Sequence, residues 1–134
     1  MSVYEFLLVE DNAGDIRLIK EMLSMGGILC NLRVVADGEQ AMAFLEQTGD
    51  YSDMPRPELI LLDLNLPRKS GAEVLAEIKY DANLRSIPVL VMSSLNKTSI
   101  TDMVGGLADG IVSKPAQVSD FDLVIQAIRA LGFT

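Results

Sequence analysis

The chain has 134 residues, 49% of them hydrophobic, with a single cysteine and no histidine. That length suits one compact domain, and the composition removes internal disulfides, Cys/His metal clusters, the commonest general base and the commonest transition-metal ligand. A net charge of −8 argues against nucleic-acid binding, which needs a basic face, and suits a hard-cation site.

"YEFLLV", residues 4–9, predicts a buried strand. It follows the first methionine with no basic segment, so no signal peptide is expected. No apolar run approaches the ~18 residues of a membrane span, and the chain is expected to be cytoplasmic. Residues 14–25 place Ile16, Ile19 and Leu23 at helical spacing. Cys30 reads as a small half-buried hydrophobe. "LRVVA", residues 32–36, predicts a second strand, and Asp37 with Gln40 predicts a reciprocal cap for a helix over 38–48.

A polar loop with Pro55 and Pro57 leads into a third strand over 58–63, and a third helix over 71–80 carries Val74, Leu75 and Ile78 on one stripe. "IPVLVM", residues 87–92, predicts a fourth strand with Pro88 near its start, where proline is tolerated. Residues 97–107 include Thr98, Ser99, Thr101, Gly105 and Gly106, a composition that predicts only a marginal, mobile fourth helix. "GIVS", residues 110–113, predicts a short fifth strand. Ser119 with Asp122 predicts a capping box before a last helix with Phe121, Val124, Ile125, Ile128 and Leu131 on one face.

Five strands alternating with five helices, the central strands apolar on both faces, predict an α/β fold: a parallel sheet covered on both sides. Such sheets bind ligands beyond the carboxyl ends of their strands. Polar residues follow the predicted strands at that edge: Glu10 and Asp11 after the first, Asp63 and Asn65 at the third, Ser93 and Ser94 at the fourth, Lys114 after the fifth. Each taken alone is an ordinary turn, cap or surface residue. Their shared edge is what the separate explanations leave unaccounted for.

Two like charges ~4 Å apart repel by about 4 kcal/mol at an effective dielectric near 20, so Glu10, Asp11 and Asp63 need more than one lysine to balance them. Oxygen donors without imidazole or thiolate favour a hard divalent cation such as Mg²⁺. A carboxylate beside such an ion and a lysine is arranged to attack a phosphoryl group, whose oxygens the metal, Lys114 and the Ser93 hydroxyl would then hold.

"LLVEDN", "LILLDLNLPRKSG", "IPVLVMSS" and "VSKP" resemble, in order and distance, the signature blocks of CheY-like response-regulator receiver domains, across essentially the whole chain. The resemblance implies a flavodoxin-like doubly wound (βα)5 fold with strand order 2-1-3-4-5, and a single receiver domain over 1–134. It implies phosphorylation of Asp63 by a sensor histidine kinase or a histidine phosphotransfer protein. Asp11 would then bind Mg²⁺ directly, Glu10 through water and Asn65 through its backbone carbonyl. Ser93 and Lys114 would contact the phosphoryl group, with the Lys114–Pro115 bond cis. "DGEQAMAFLEQTGDYSDMPRPELILLDLNLPRKSGAEVLAEIK" and "NLRSIPVLVMSS" are most similar to single-domain regulators paired with bacterial phytochromes.

Receivers usually carry an aromatic three residues before the lysine; here that position is Ile111. Activation is therefore expected to repack residues 97–112 without an aromatic toggle. Val104, Leu107 and Ile111 either contribute to a homodimer face between the fourth and fifth helices or pack inward. The competing functions are a phosphorylation-independent interaction module and a Mg²⁺-dependent aspartyl phosphohydrolase. Against turnover stands Asn65, at the position where such hydrolases carry a second acid. A flavin-binding protein of similar fold is disfavoured by carboxylates at the rim, which would repel the flavin phosphate.

Overall fold

A computed structural model describes residues 3–94 and 106–134. Five strands, β1 (Tyr4–Val9), β2 (Cys30–Val35), β3 (Leu59–Asp63), β4 (Val89–Ser93) and β5 (Gly110–Ser113), pair in parallel in the order β2-β1-β3-β4-β5. This is the flavodoxin-like order expected from the sequence. Helices α1 (Ala13–Met25), α2 (Gly38–Glu46), α3 (Gly71–Tyr80) and a C-terminal helix (Phe121–Ala130) cover its faces.

The unbroken apolar runs of β3 and β4 follow from their place in the sheet: every residue of both strands is buried, as a parallel sheet covered on both sides requires. The period-2 alternation then divides the core. Leu7, Val9, Ile60, Leu62, Val89 and Val91 pack with Val74 and Ile78 of α3 and Phe44 and Leu45 of α2. On the other face Phe6, Leu8, Leu61, Leu90 and Met92 pack with Ile19 and Leu23 of α1 and with Val124 and Ile128 of the C-terminal helix. Among the described residues no helix is long and apolar enough to cross a membrane.

The element ends differ from expectation where local hydrogen bonding decides. β2 begins at Cys30 because that residue already pairs with Tyr4, and Cys30 is half-buried, its thiol pKa raised by burial. α2 stops at Glu46, where Gln47 turns left-handed with φ of 58°. Proline has no N–H for the ladder; β4 starts after Pro88, whose carbonyl accepts from Ile60 N–H at 3.0 Å. The α2 cap forms as expected at Asp37, which accepts from Gln40 N–H at 2.8 Å, but the Gln40 side chain reaches Ala36 N–H rather than that of Asp37.

Two expectations are corrected. The capping box before the last helix is built by Gln117 and Asp120, not by Ser119 and Asp122. The Asp120 carboxylate takes the N–H groups of Ala116 and Gln117 at 2.9 and 3.2 Å, charge-assisted bonds that are stronger than neutral ones. The Lys114–Pro115 bond is trans, the form that X–Pro amides intrinsically favour.

Most of the expected fourth helix, Val104 included, lies outside the described residues. Of its expected interface, Leu107 and Ile111 pack inward on the α2–α3 side of the core.

The segment joining β3 to α3 is held by glycine. A Cβ on Gly71 would lie 2.4 Å from the Asp63 carbonyl oxygen and 2.5 Å from Leu64 Cα, both backbone atoms that cannot rotate away. The first turn of α3 therefore rests directly on the backbone that carries Asp63, with Gly71 N–H donating to Leu64 O at 3.1 Å. Gly71→Ala should destabilise the protein by about 1–3 kcal/mol, the range for overpacking a tight site. Urea denaturation checks this, with Ala72→Ser on the same turn as a control that should shift the midpoint far less.

Candidate functional site

The sheet register explains how distant residues meet. Val9 pairs with Leu62, so Glu10 leaves β1 level with Asp63. Asp63 pairs with Met92, which places Ser93 one step beyond it. Ser93 pairs with Ser113, and Lys114 follows, its N–H donating to Ser93 O at 3.0 Å. Parallel pairing thus turns positions separated by up to 104 residues in sequence into neighbours on one edge.

Glu10 is fully buried and Asp63 is 2% exposed. The Oε2 of Glu10 accepts from Asp11 and Asn12 N–H at 3.1 and 3.2 Å. Its Oε1 has Lys114 Nζ at 2.8 Å but no donor aligned for a hydrogen bond. Asp63 divides its two oxygens: Oδ1 accepts from Asn65 N–H at 3.0 Å, and Oδ2 lies 3.2 Å from Lys114 Nζ. Asp11 is exposed, yet one oxygen each from Glu10, Asp11 and Asp63 lie within 4.8 Å of one another. Ser93 is buried at the end of β4, and Asn65 is exposed on the loop after β3.

Sequence reasoning missed Asp15. It stands on the first turn of α1, and its Oδ2 accepts from Lys114 Nζ at 2.9 Å. An acid in the first helical turn has a sufficient explanation in capping and the helix dipole, so only the tertiary contact reveals it. Ile111 does not reach the rim. It pairs with Val91 inside the sheet, part-buried on the α2–α3 side of the core.

The electrostatics are those of one cation among several anions. Burial is the largest influence on Glu10 and raises its carboxyl pKa; the Lys114 contact opposes this and the Asp63 charge adds to it. Burial alone would lower Lys114, but its contacts with Glu10 and Asp15 and the charge of Asp63 outweigh that and hold the ammonium well above the ordinary lysine range. Lys114 is charged at every physiological pH and still leaves an excess of negative charge.

The donor set fits a hard divalent cation. It is all oxygen, it comes from three carboxylates on two adjacent strand ends, and it includes a buried Glu10 oxygen lacking a hydrogen-bond donor.

A family model described as the response regulator receiver domain matches residues 6–126. Response regulator Rcp1 of Synechocystis sp. is 43% identical over 125 residues, covering 92% of this chain and 85% of that protein. Among solved structures, the phosphorylated cyanobacterial phytochrome response regulator RcpA superposes with a TM-score of 0.85 at 41% identity, covering 97% of this chain and 94% of that one. The Mn²⁺-bound form of Rcp1 superposes with a TM-score of 0.83 at 41% identity, covering 95% and 92%.

A cation that binds only the folded form stabilises it by about 2–3 kcal/mol at a hundredfold excess over its Kd. Thermal melts should therefore show a higher Tm with Mg²⁺ than with EDTA. Asp11→Asn should raise the Tm without metal, by relieving repulsion, and lose most of the metal-dependent increment.

Proposed function

This chain belongs to the response regulator receiver family, and from that premise we propose that it is a phosphoacceptor signalling module whose acceptor is Asp63. The observation that carries this is the setting of Asp63: buried, 3.2 Å from the Lys114 ammonium, and within ion-sharing distance of Glu10 and Asp11. These 134 residues contain no histidine, so a phosphohistidine donor lies outside them. The similarity to regulators named for phytochromes supports a phytochrome-type sensor kinase as that donor.

In the transfer an Asp63 carboxylate oxygen attacks phosphorus. The new O–P bond forms as the P–N bond breaks, and the donor imidazole leaves with the electron pair. Glu10, Asp11, Asp63 and the Asn65 backbone would hold a Mg²⁺ ion, which would supply positive charge for the phosphoryl oxygens. Lys114 and the Ser93 hydroxyl hold those same oxygens from the other strands. Hydrolysis later returns the carboxylate. Asn65, two residues after Asp63, supplies no second acid, which supports a phosphoacceptor rather than a phosphohydrolase.

We take residues 1–134 as one receiver domain acting in the cytoplasm, with output through altered protein contacts, homodimerisation among them. A second reading, a phosphorylation-independent interaction module, is favoured by Ile111: a branched aliphatic packed against the core cannot swing inward as an aromatic ring does.

Intact mass after incubation with acetyl phosphate tests the choice. The expected result is a gain of one phosphoryl group that requires Mg²⁺ and is absent from Asp63→Asn. Folded, Mg²⁺-supplied protein that gains nothing would establish the interaction module instead.

A further inference from the structure

Lys114 Nζ is surrounded by three carboxylates, Glu10 at 2.8 Å, Asp15 at 2.9 Å and Asp63 at 3.2 Å. Of its N–H donors, Lys114 directs hydrogen bonds to Asp15 and Asp63, while Glu10 Oε1 is an ion-pair contact without an aligned donor. Two of the three partners, Glu10 and Asp63, belong to the group close enough to share an ion, together with Asp11. Asp15 does not.

The helix does not need the Asp15 carboxylate for its own capping. Asn12 is the N-cap and accepts from Asp15 N–H at 2.9 Å. An acid three residues after the N-cap ordinarily turns back to the N-cap N–H. Here Glu10 Oε2 already takes the Asn12 N–H at 3.2 Å, and the Asp15 carboxylate reaches across to Lys114 instead.

We propose that Asp15 is a positioning residue that competes with the phosphoryl group for Lys114. This rests on the receiver reading above. When a divalent cation shares the charge of Glu10 and Asp63, their hold on the ammonium weakens, while Asp15 keeps its full charge. Lys114 is then drawn towards α1, and a phosphoryl group on Asp63 has to win it back. Asp15 thereby sets how firmly the lysine clasps the phosphoryl oxygens.

The test is the affinity for beryllofluoride, a non-covalent phosphoryl mimic, at saturating Mg²⁺, followed by fluorine NMR. Asp15→Asn should bind about two- to fivefold more tightly than wild type, the scale of a partly exposed ion pair. Asp15→Glu, which keeps the charge, should stay near wild type, and in a Lys114→Ala background Asp15→Asn should have little effect. Unchanged or weaker binding by Asp15→Asn, or an equal gain with and without Lys114, overturns the proposal while wild-type binding leaves the receiver reading intact. A wild type that binds no beryllofluoride overturns that reading and this proposal with it. The Asn12 cap is made to the backbone of Asp15, so the variant retains the start of α1.

Discussion

The carboxyl edge of this sheet depends on one ammonium. Glu10 and Asp63 are carboxylates with almost no access to solvent, and isolated buried charges are too costly to persist. Lys114 makes them tolerable, and it stays charged because they, with Asp15, surround it. The compensation is deliberately incomplete in its arithmetic: one positive charge faces Glu10, Asp15 and Asp63 directly, with Asp11 alongside. The remainder is negative charge of the kind that suits a hard divalent cation.

Backbone packing holds this unbalanced group in place. The parallel register brings Glu10, Asp63, Ser93 and Lys114 level, and the loop after β3 is pinned from both sides. Gly71 lets α3 sit on the Asp63 backbone, and Gly38 lets α2 approach equally closely, where a Cβ would lie 2.4 Å from the Lys69 carbonyl oxygen. Arg68, in the left-handed region with φ of 65°, points to Asp37 and Glu39 at 3.5 Å. A non-glycine residue in that region carries a conformational cost, and here the acids at the start of α2 provide the compensating contact. The loop after β3 is therefore coupled to two helices through atoms that have little room to move.

Most of this fold was legible in the sequence because its signals are local. Apolar runs marked β1, β3 and β4, and the helical stripes marked α1, α3 and the last helix at close to their observed ends. The rim residues were legible for a different reason: in a parallel sheet every strand ends at the same edge, so polar residues following the strands converge without any knowledge of side-chain contacts. What stayed hidden was tertiary. Asp15 looks like any acid in a first helical turn, and nothing in the spelling of "KSG" shows that Gly71 lies against the Asp63 backbone. The capping box moved to Gln117 and Asp120 because Asp120 satisfies two N–H groups at once; the sequence pattern admitted the other pair equally well.

The two ends of the sheet carry lysine clusters with opposite charge balance. At the amino ends, Lys79 Nζ donates to the carbonyls of Arg85 and Ile87 and to Asp109 Oδ2 at 3.2, 2.9 and 2.6 Å. Asp109 Oδ2 also accepts from Val89 N–H at 2.8 Å. One acid meets one base, the lysine's three donors are used, and neutral backbone groups complete the shell, so a metal or phosphoryl group would gain little there. At the carboxyl ends the same lysine chemistry is set among excess acids, with a Glu10 oxygen lacking an aligned donor. Both clusters join elements far apart in sequence, but only the second is left with charge to spend on a ligand. The Lys79–Asp109 pair anchors α3 to the starts of β4 and β5 and fixes the sheet at its amino end.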